Sequence, residues 1–367
     1  MKTVIITDSK YRSAIAVVAA LGRAGYNVVV TQTTAESAEP PVFFSKYVTE
    51  SHMIDGSCKD AEYPEKLISV IKKYDRPVLF CIGADTLNMV SRNREEFSAV
   101  CDFLISEPSV LDALNDKERV HQRCIELGLN VPKQYEAEPT EYPVVIKPHC
   151  GEKFGLTAAD RYKIAVDKAD YEKKYAHFQK YDPTPIVQQK VEGDGMGACL
   201  LIDREGRLIN AVCHRRIREY PITGGPSSCC VSFYDESMID SAYKLLSSFG
   251  FQGMAMVEFK GKYILEVNPR VWGSYPMTVC CQSGYTEDYA AASSGERVEY
   301  NPQKYKTNVK MRFMLNDTLS ILSHIKNRHI KEGIKGIGDI FTAKEALKMR
   351  DDRAPFRRYL ASAIKKK

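Results

Sequence analysis

A predicted hairpin at residues 254–270 holds the side chains with the clearest chemical potential. Its sequence, MAMVEFKGKYILEVNPR, has two apolar strand patterns on either side of a glycine-containing turn. A three-residue loop of residues 260–262 is a common solution for such a turn. Side chains alternate between the two faces of a strand, so this loop fixes which residues lie opposite each other. The expected pairs are Glu258 with Ile264 and Met256 with Glu266.

In this register two carboxylates and an amide share one face of the hairpin: Glu258, Glu266 and Asn268. Neighbouring carboxylates repel each other, and a cation between them removes that cost. Oxygen ligands without His or Cys suit Mg²⁺, so we predict a magnesium site. A solvent-facing hairpin with exposed glutamates is the alternative. The apolar residues expected on the same face disfavour it: Met254, Met256 and Ile264.

Arginines and a paired-glycine turn are the candidates for stabilising charge and for binding a substrate. Arg270 lies two residues after Asn268, where it can neutralise charge on a transferred phosphoryl group or form an ion pair with a glutamate. A second group of arginines precedes a paired-glycine turn that could close over a substrate. We assign Arg270 and Arg215 to catalysis. The predicted substrate-binding residues are Arg216, Arg218, Gly224 and Gly225.

Two lysines and one strand end are candidates for nucleotide contacts. Lys147 ends an apolar strand and precedes a loop, residues 149–155, whose backbone amides could hold phosphates. Lys117 stands at a helix start, where a solvated lysine is an equally good interpretation. The strand that leads to Gly193 could contact an adenine edge through Gln188, Gln189, Lys190 and Val191. His214, by contrast, is predicted to be a packed histidine.

The elements that position these residues fall into three parts. Residues 1–108 alternate strand and helix signals, which predicts a parallel Rossmann-like sheet, and no GxGxxG follows the first strand. Residues 109–300 show α+β character. Residues 301–367 are predicted to be a basic helical extension.

Charge and cysteine content limit the class of protein. Residues 301–367 contain 17 Lys and Arg against 6 Asp and Glu, although the whole chain carries a net charge of only +5. This basic tail is either a solvated surface or a weak attachment to an anionic or membrane-linked substrate. The 11 cysteines have neither disulfide nor zinc spacing, which indicates reduced thiols. With no export signal and no long apolar run, we expect a cytoplasmic protein.

Together these residues resemble the ATP-grasp superfamily, of the carbamoyl-phosphate-synthetase-like kind. The resemblance covers residues 1 to about 300, and the E…EVNPR hairpin is its most specific part. The other matching segments are Asp116-Lys117, PVVIKP at 143–148, IVQQ at 186–189, HRR at 214–216 with GGPSS at 224–228, and Glu258 with EVNPR at 266–270.

The resemblance implies an ADP-forming ligase that joins a carboxylate to an amine through an acyl phosphate. It also implies that residues 109–300 form an ATP-grasp domain, with a lid at about 118–187 and a metal-binding floor at about 188–300. ATP would lie between lid and floor, with Lys117 and Lys147 on its phosphates. Glu258, Glu266 and Asn268 would bind Mg²⁺, as two ions. Small-molecule carboxylate and amine substrates are the expected partners, and nucleic acid is not. Many relatives resemble homodimers, so the resemblance leaves a homodimer open as an alternative to a monomer.

Two departures from the family pattern leave alternatives open. Many relatives carry a ribose-binding glutamate near the position of Gly195, where the nearest acids here are Glu192 and Asp194; we assign Asp194 to ATP binding. The phosphate loop also contains an acidic Glu152. The same site could therefore serve a phosphotransferase, or a nucleotide-binding module that has lost turnover.

Overall fold

The structure is a computed structural model that describes residues 2–36, 39–149, 156 and 161–365. Its strands are β1 (Thr3–Ile6), β2 (Asn27–Thr33), β3 (Val48–Ile54), β4 (Val78–Phe80), β5 (Val144–Lys147), β6 (Lys163–Ala165), β7 (Ile186–Gln189), β8 (Gly195–Ile202), β9 (Leu208–Glu219), β10 (Ser227–Phe233), β11 (Gly253–Lys260), β12 (Tyr263–Asn268), β13 (Lys310–Arg312) and β14 (Lys344–Glu345).

Its helices are α1 (Ser13–Arg23), α2 (Tyr63–Ile71), α3 (Ala84–Arg92), α4 (Arg94–Ser98), α5 (Pro108–Asn115), α6 (Lys117–Glu126), α7 (Lys168–Phe178), α8 (Glu236–Ser247), α9 (Pro276–Cys280), α10 (Tyr285–Ser293), α11 (Met314–Lys326), α12 (Ile330–Thr342) and α13 (Ala354–Lys365). Short 3₁₀ turns lie at Thr34–Glu36 and Pro41–Phe44. Among the described helices, none combines the length and the apolar composition that crossing a membrane requires.

The N-terminal part is a parallel sheet in the strand order β3-β2-β1-β4. Its central strands β1 and β2 are largely buried, because helices cover both faces of a parallel sheet. Helix α1 is buried along most of its length between this sheet and helices α9 and α10. The predicted Rossmann-like start is therefore confirmed, and α5 begins at Pro108, where the sequence pattern changes.

A seven-stranded sheet forms the floor, in the order β12-β11-β8-β9-β10-β13-β14. All its neighbours are antiparallel except β13 and β14. One face packs on an aromatic core that includes Trp272, Tyr275 and Tyr285, and the other packs on α8. The sheet thus joins residues of the predicted floor to the predicted C-terminal extension.

The lid is a smaller antiparallel sheet, β6-β5-β7, covered by α7. It has its own core, formed by Val144, Ile146, Ala165, Phe178 and Val187. Helix α6 lies within the sequence range predicted for the lid, but it packs against β12 of the floor and shares the floor's core. The lid therefore starts after α6, because the apolar face of α6 is buried under the floor.

The C-terminal residues are more than a helical extension. Strand β13 pairs with β10, and the backbone N–H of Ala346 donates to the Arg312 carbonyl beside it. Helix α13 packs against the 3₁₀ turn Pro41–Phe44 of the N-terminal part. The last 67 residues of the sequence therefore contribute to the central sheet and also contact the first domain.

A buried ion network attaches the α11–α12 hairpin to the central sheet. Arg218 of β9 donates to Asp317 of α11 at 2.8 and 3.1 Å and to Asp339 of α12 at 2.6 Å. Arg312 and Lys310 of β13 also pair with these two aspartates, at 3.1 and 2.6 Å. Arg218 is only 5% exposed, and its neighbours raise the pKa of its guanidinium despite burial.

Replacing Arg218 by alanine would leave two buried aspartates without their main partner. We expect Arg218→Ala to lower the free energy of unfolding by about 3–5 kcal/mol, the usual effect of breaking a buried ion pair. Arg297→Ala is the matched control, because its pair with Glu299 is exposed and contributes at most about 1 kcal/mol. Urea unfolding of both variants is the measurement, and equal losses would contradict the assignment.

Candidate active site

The metal-binding residues predicted on the hairpin do share one face, but in a different register. Glu258 lies directly opposite Glu266, and Met256 lies opposite Asn268. The predicted pairs, Glu258 with Ile264 and Met256 with Glu266, are therefore wrong. The turn contains two residues instead of three, and Leu265 is the extra residue of a β-bulge that restores the shared face.

The bulge also changes the position of Ile264. This side chain packs in the core on the opposite face of the sheet, with Phe259 and Val257, and was wrongly expected beside the glutamates. Met254 and Met256 do lie on the glutamate side, in the aromatic core. The turn itself requires a glycine, because Gly261 has φ 54° and a Cβ would meet the Glu192 carbonyl oxygen at 3.1 Å.

The two glutamates have opposite pKa shifts. Burial, together with the charge of Glu266, raises the pKa of Glu258 to about 7. Burial also acts to raise the pKa of Glu266, but the charges of Lys117 and Lys147 outweigh it, so the net shift is downward. Lys117 Nζ lies 3.3 Å from Glu266 Oε2. The pair therefore has one well-compensated carboxylate and one that lacks a full counter-charge.

Asn268 and Arg270 extend the same face. Asn268 Nδ2 donates to Glu258 Oε1 at 3.0 Å, and Arg270 Nη2 donates to Asn268 Oδ1 at 3.4 Å. Arg270 also donates to the Val271 carbonyl oxygen at 3.1 Å. Its charge lowers the pKa of Glu258. Arg270 thus combines an electrostatic contact with the glutamates and a fixed position beside them.

Both predicted phosphate lysines converge on Glu266 from different elements. Asp116 caps α6 by accepting from the backbone N–H groups of Glu118 and Arg119, which places Lys117 in the first turn. Lys147 ends β5 of the lid and is 8% exposed. Burial lowers the pKa of Lys147 to about 8, against the opposing effect of Glu266. A buried ammonium beside acidic side chains can bind an anion such as phosphate.

The predicted adenine strand connects the lid to the floor. Gln188 is buried and lies opposite Val145 of β5, whereas Gln189 is exposed and its backbone N–H donates to the Lys133 carbonyl. Val191 is buried just after this strand. Of the predicted phosphate loop, residues 150–155, with Glu152, lie outside the described residues. At His149, the first residue of this predicted loop, the backbone N–H donates to the Asp182 carboxylate at 2.8 Å.

The acidic residues nearest the expected ribose position, Glu192 and Asp194, both form ion pairs within the protein. Lys190 forms an ion pair with Glu192. Asp194 pairs with Arg215 at 3.2 Å, and both side chains are exposed. The Asp194 carbonyl also accepts from the backbone N–H of Gly261, which ties this segment to the hairpin turn. Arg215 lies opposite Met196 of β8, which lies opposite Phe259 of β11, so Arg215 is on the face of the sheet away from the glutamates. This position does not support the predicted catalytic role of Arg215.

Of the predicted substrate residues, Arg216 lies at the site and Arg218 does not. The charge of Arg216 lowers the pKa of Glu258, and its guanidinium pairs with Glu219 at 2.8 Å. A bulge at Ile217 turns Arg218 to the other face of β9, into the buried ion network. This placement does not support substrate binding by Arg218, because its guanidinium is already bound by two aspartates.

The paired glycines lie next to the lid. Gly224 has φ 127°, and a Cβ at this position would meet the Tyr162 hydroxyl at 2.1 Å. The Gly225 carbonyl oxygen lies 3.5 Å from Arg216 Nη1. Arg161, which the sequence analysis missed, lowers the pKa of both Glu258 and Glu266. A lone arginine before a short strand carries no sequence signal, so only the folded lid could reveal it.

His214 is a packed histidine, as predicted. Its Nε2 lies 2.8 Å from Ser274 Oγ, and its Nδ1 lies 3.7 Å from Cys199 Sγ. Burial, with a smaller effect from Arg216, lowers its pKa to about 4. A Cβ on Gly197 would meet the imidazole at 2.6 Å, so glycine leaves room for the ring. The ten cysteines of the described part are free and buried, which agrees with the expectation of inert thiols.

The donor set fits magnesium. Two opposed carboxylates and an amide lie on one face, and one carboxylate has a raised pKa that a divalent cation would reverse. No group of three or more His, Cys, Asp or Glu side chains suited to a metal occurs among residues that the structure describes. Two carboxylates and an amide are compatible with Mg²⁺, which keeps water or phosphate oxygens in its remaining positions. The number of ions stays a prediction.

Comparison with known proteins agrees with this geometry. Residues 114–274 match the family model of the ATP-grasp domain. No curated protein matches the sequence. Several solved structures that resemble the chain share 14–16% sequence identity with it, so they inform on the fold alone.

Three of these structures represent different enzymes. The biotin carboxylase domain dimer of Hydrogenobacter thermophilus 2-oxoglutarate carboxylase, in complex with MgADP, ADP and bicarbonate, has a TM-score of 0.63 at 14% identity and covers 84% of this chain and 73% of that one. L-Amino acid ligase from Bacillus licheniformis has a TM-score of 0.57 at 14% identity, with 84% and 78% coverage. Phosphoribosylglycinamide synthetase from Anaerococcus prevotii has a TM-score of 0.58 at 16% identity, with 84% and 79% coverage. The fold is thus a parallel N-terminal sheet followed by an ATP-grasp fold, as predicted.

If Glu258 and Glu266 repel each other in the metal-free protein, removing one charge should stabilise it. At pH 8 we expect Glu258→Gln to raise the free energy of unfolding by about 1–2 kcal/mol without Mg²⁺. The same variant should lose the additional stabilisation that Mg²⁺ with ATP gives the wild type. Calorimetry with and without Mg-ATP measures both effects. Glu299→Gln, an exposed carboxyl away from the site, is the control, and an unchanged Mg-ATP response in Glu258→Gln would refute the metal assignment.

The lowered pKa of His214 predicts a pH-dependent loss of stability. The unfolded histidine has a pKa near 6.5 and takes up a proton before the folded one, which has a pKa of about 4. This stability is complete above pH 6.5 and decreases as the pH falls toward 4, by about 2 kcal/mol at pH 5. Unfolding at pH 7 and pH 5 should show a smaller loss for His214→Gln than for the wild type, and equal losses would contradict this.

Proposed function

We propose that this protein, which has an ATP-grasp fold, is an ADP-forming ligase that joins a carboxylate to an amine. The observation that carries the proposal is the pair of opposed glutamates, Glu258 and Glu266, surrounded by cationic side chains from separate parts of the chain. A set of fixed cations around two carboxylates suits phosphoryl transfer, which needs positioning and charge stabilisation more than a protein nucleophile. Two structural neighbours, an L-amino acid ligase and a phosphoribosylglycinamide synthetase, are enzymes whose names agree with this class.

In this proposal ATP binds between lid and floor. Lys147 and Lys117 contact its phosphates, from the end of β5 and the start of α6. The segment that links the lid to the floor contacts the adenosine, through Gln188, Gln189, Lys190, Val191 and Asp194. Lys147 is suited to an anion because burial leaves its ammonium poorly solvated, so a phosphate oxygen replaces lost water contacts.

Glu258, Glu266 and Asn268 would hold magnesium. When bound, Mg²⁺ neutralises phosphate charge and orients the γ-phosphoryl group for in-line transfer. Glu266 is ready as a ligand, because Lys117 and Lys147 keep it ionised. Asn268 keeps the Glu258 carboxylate in a fixed orientation through its 3.0 Å hydrogen bond.

The remaining side chains act on the substrate. Arg216, with Gly224 and Gly225, binds the substrate carboxylate beside the glutamates. An oxygen of that carboxylate attacks the γ-phosphorus while the bond to the bridging oxygen of ADP breaks. Arg270 offsets the negative charge on the acyl phosphate. The amine then attacks the acyl carbon, phosphate departs with the C–O bonding electrons, and the amine gives up a proton to water.

Lid contacts favour exclusion of water during this reaction. Tyr162, just before β6, reaches the loop at Gly224, so lid and floor already approach each other beside the proposed substrate position. An acyl phosphate hydrolyses in water, and a lid that closes over it favours transfer to the amine. Gly224 is needed there because any side chain would collide with the tyrosine hydroxyl.

The test is release of ADP and phosphate with Mg-ATP over a panel of carboxylates and amines. We expect one carboxylate–amine pair to support turnover, and Glu266→Gln to reduce it at least about 100-fold, since the lost metal contact acts on the transition state. Glu299→Gln should keep full activity. Release that needs the carboxylate but no amine would indicate a phosphotransferase. ATP binding without release for any pair would favour a non-catalytic nucleotide-binding module and contradict the ligase proposal.

A further inference from the structure

The α11–α12 hairpin exposes an unusually apolar surface. Large aliphatic and aromatic side chains point into solvent from both helices, and Phe341 is 85% exposed and Ile334 64% exposed. Most of the exposed large hydrophobic residues of the described chain belong to this hairpin. The surface includes Leu319, Leu322, Ile330, Ile334, Ile337 and Phe341, which together we call the hairpin apolar surface. Exposed apolar surface of this extent commonly marks an interaction site.

The polarity of the hairpin is inverted relative to an ordinary surface helix. Asp317, Ser320 and Asp339 face the body of the protein, where Arg218 and its neighbours bind the two aspartates. The apolar residues face outward. A surface helix in water normally shows the reverse, with its apolar stripe toward the core. The ion network therefore fixes the hairpin in an orientation that presents hydrophobic side chains to the exterior.

The apolar stripes of the two helices face the same side. In α12 the residues Ile330, Ile334, Ile337 and Phe341 recur at the spacing of one helix face. Gly333 and Gly336 bring α12 close to Ile325 and Ile321 of α11. Around the axis of each helix, in the same sense of rotation, the face buried against the protein comes first. The face that packs on the other helix comes second, and the apolar stripe comes third. Because the helices run antiparallel, this order directs both stripes outward as one surface.

Basic side chains border the hairpin apolar surface. Lys326, Arg328, Lys331 and Lys335 are exposed in this region, and Glu332 is the exposed acidic residue among residues 314–342. Asp317 and Asp339 add no negative charge to the exterior, because the ion network neutralises them. In α12, Lys331 and Lys335 lie beside the apolar stripe. A lysine border next to exposed Ile and Phe side chains is the pattern of a helix that lies in a membrane interface.

We propose that the hairpin apolar surface binds an anionic lipid bilayer, with α11 and α12 lying in the plane of the interface. The isoleucines and Phe341 would enter the boundary between headgroups and acyl chains, and the lysines would contact lipid phosphates. A second copy of the chain is a less suitable occupant, because face-to-face packing of two identical surfaces would bring the basic borders together.

Membrane binding would place the proposed substrate loop near the bilayer. Ser320 of α11 donates to the Glu219 carbonyl oxygen at 2.7 Å, and the Glu219 carboxylate pairs with Arg216. The loop that contains Gly224 follows directly. An enzyme held in this way would draw a carboxylate or amine from a molecule at the membrane surface. The lipid-binding proposal itself does not depend on the reaction catalysed.

Vesicle flotation of the full chain tests the proposal. We expect the protein to float with vesicles of 70% phosphatidylcholine and 30% phosphatidylglycerol, and much less with phosphatidylcholine alone, at about 0.1 M salt. The triple variant Ile334→Ser, Ile337→Ser, Phe341→Ser should reduce binding at least about tenfold, because it removes the inserted side chains. The matched control is Ile125→Ser with Val166→Ser, which replaces exposed apolar residues elsewhere and should change nothing.

The electrostatic contribution has its own variant. Lys331→Gln with Lys335→Gln should weaken binding to the anionic vesicles by roughly 10- to 30-fold. Lys72→Gln with Lys73→Gln is the charge-matched control, because these exposed lysines follow the end of α2 and are distant in sequence from the hairpin. Binding of the wild type should also fall as salt is raised to about 0.5 M, because salt screens the lysines.

Three results would overturn the proposal. One is absence of flotation with anionic vesicles. Another is flotation that the hairpin variants leave unchanged. The third is a wild-type protein that does not bind vesicles and sediments as a dimer, whereas the triple variant at Ile334, Ile337 and Phe341 sediments as a monomer. That result would assign the surface to a second copy of the chain. All hairpin variants change exposed side chains, and their thermal unfolding is compared with the wild type to confirm that they fold.

Discussion

The repulsion between Glu258 and Glu266 is the constraint around which the other parts are arranged. The β-bulge at Leu265 places the two carboxylates directly opposite each other, partly removed from water. Such a pair is unfavourable unless cations lie near it. The cations come from separate elements: Lys117 from α6, Lys147 from the lid, Arg216 from β9, and Arg270 from beyond β12. The packing of the lid sheet and of α6 against the floor is therefore also what makes the acidic pair tolerable. The compensation is incomplete at Glu258, whose pKa stays raised, and this residual cost is what favours binding of a divalent cation.

The buried ion network around Arg218 has the opposite character. Here two buried aspartates form ion pairs with Arg218, Arg312 and Lys310, so each of these carboxylates already has cationic partners within the protein. Arg216 and Arg218 are two residues apart on one strand, yet a bulge sends them to opposite faces, one toward the proposed substrate and the other toward the α11–α12 hairpin. The strand β9 thus connects the proposed reaction site to the hairpin apolar surface. Ser320 adds a second connection through the Glu219 carbonyl. The proposed reaction site and the α11–α12 hairpin are therefore joined by the backbone of β9 and by the hydrogen bond of Ser320.

The sequence suggested most of the residues that the structure brings together in the candidate site, but it did not suggest their contacts. The glutamates, Asn268, Arg270 and both lysines come together as the sequence suggested, because strand alternation and strand ends limit where such side chains point. The hairpin register was predicted wrongly, since one inserted residue in a bulge leaves no trace in a pattern of alternating polarity. Arg161 was missed because it lies far from the glutamates in sequence and close in space. The limits of the lid differed for a similar reason: α6 has an ordinary amphipathic pattern, and the pattern does not show which core receives its apolar face.

The sequence by itself determined the parallel N-terminal sheet, the acidic hairpin and the excess of positive charge in the C-terminal part. Each of these depends on residues close together in the chain, and local periodicity and composition express them directly. Tertiary structure alone decided the role of Arg218, the addition of β13 to the central sheet, and the outward direction of the apolar residues on α12. These depend on pairs more than 80 residues apart, such as Arg218 with Asp317 and Cys230 with Met311. The energy of a buried charge depends on its nearest partners in space, and a sequence does not state which distant residues those partners are.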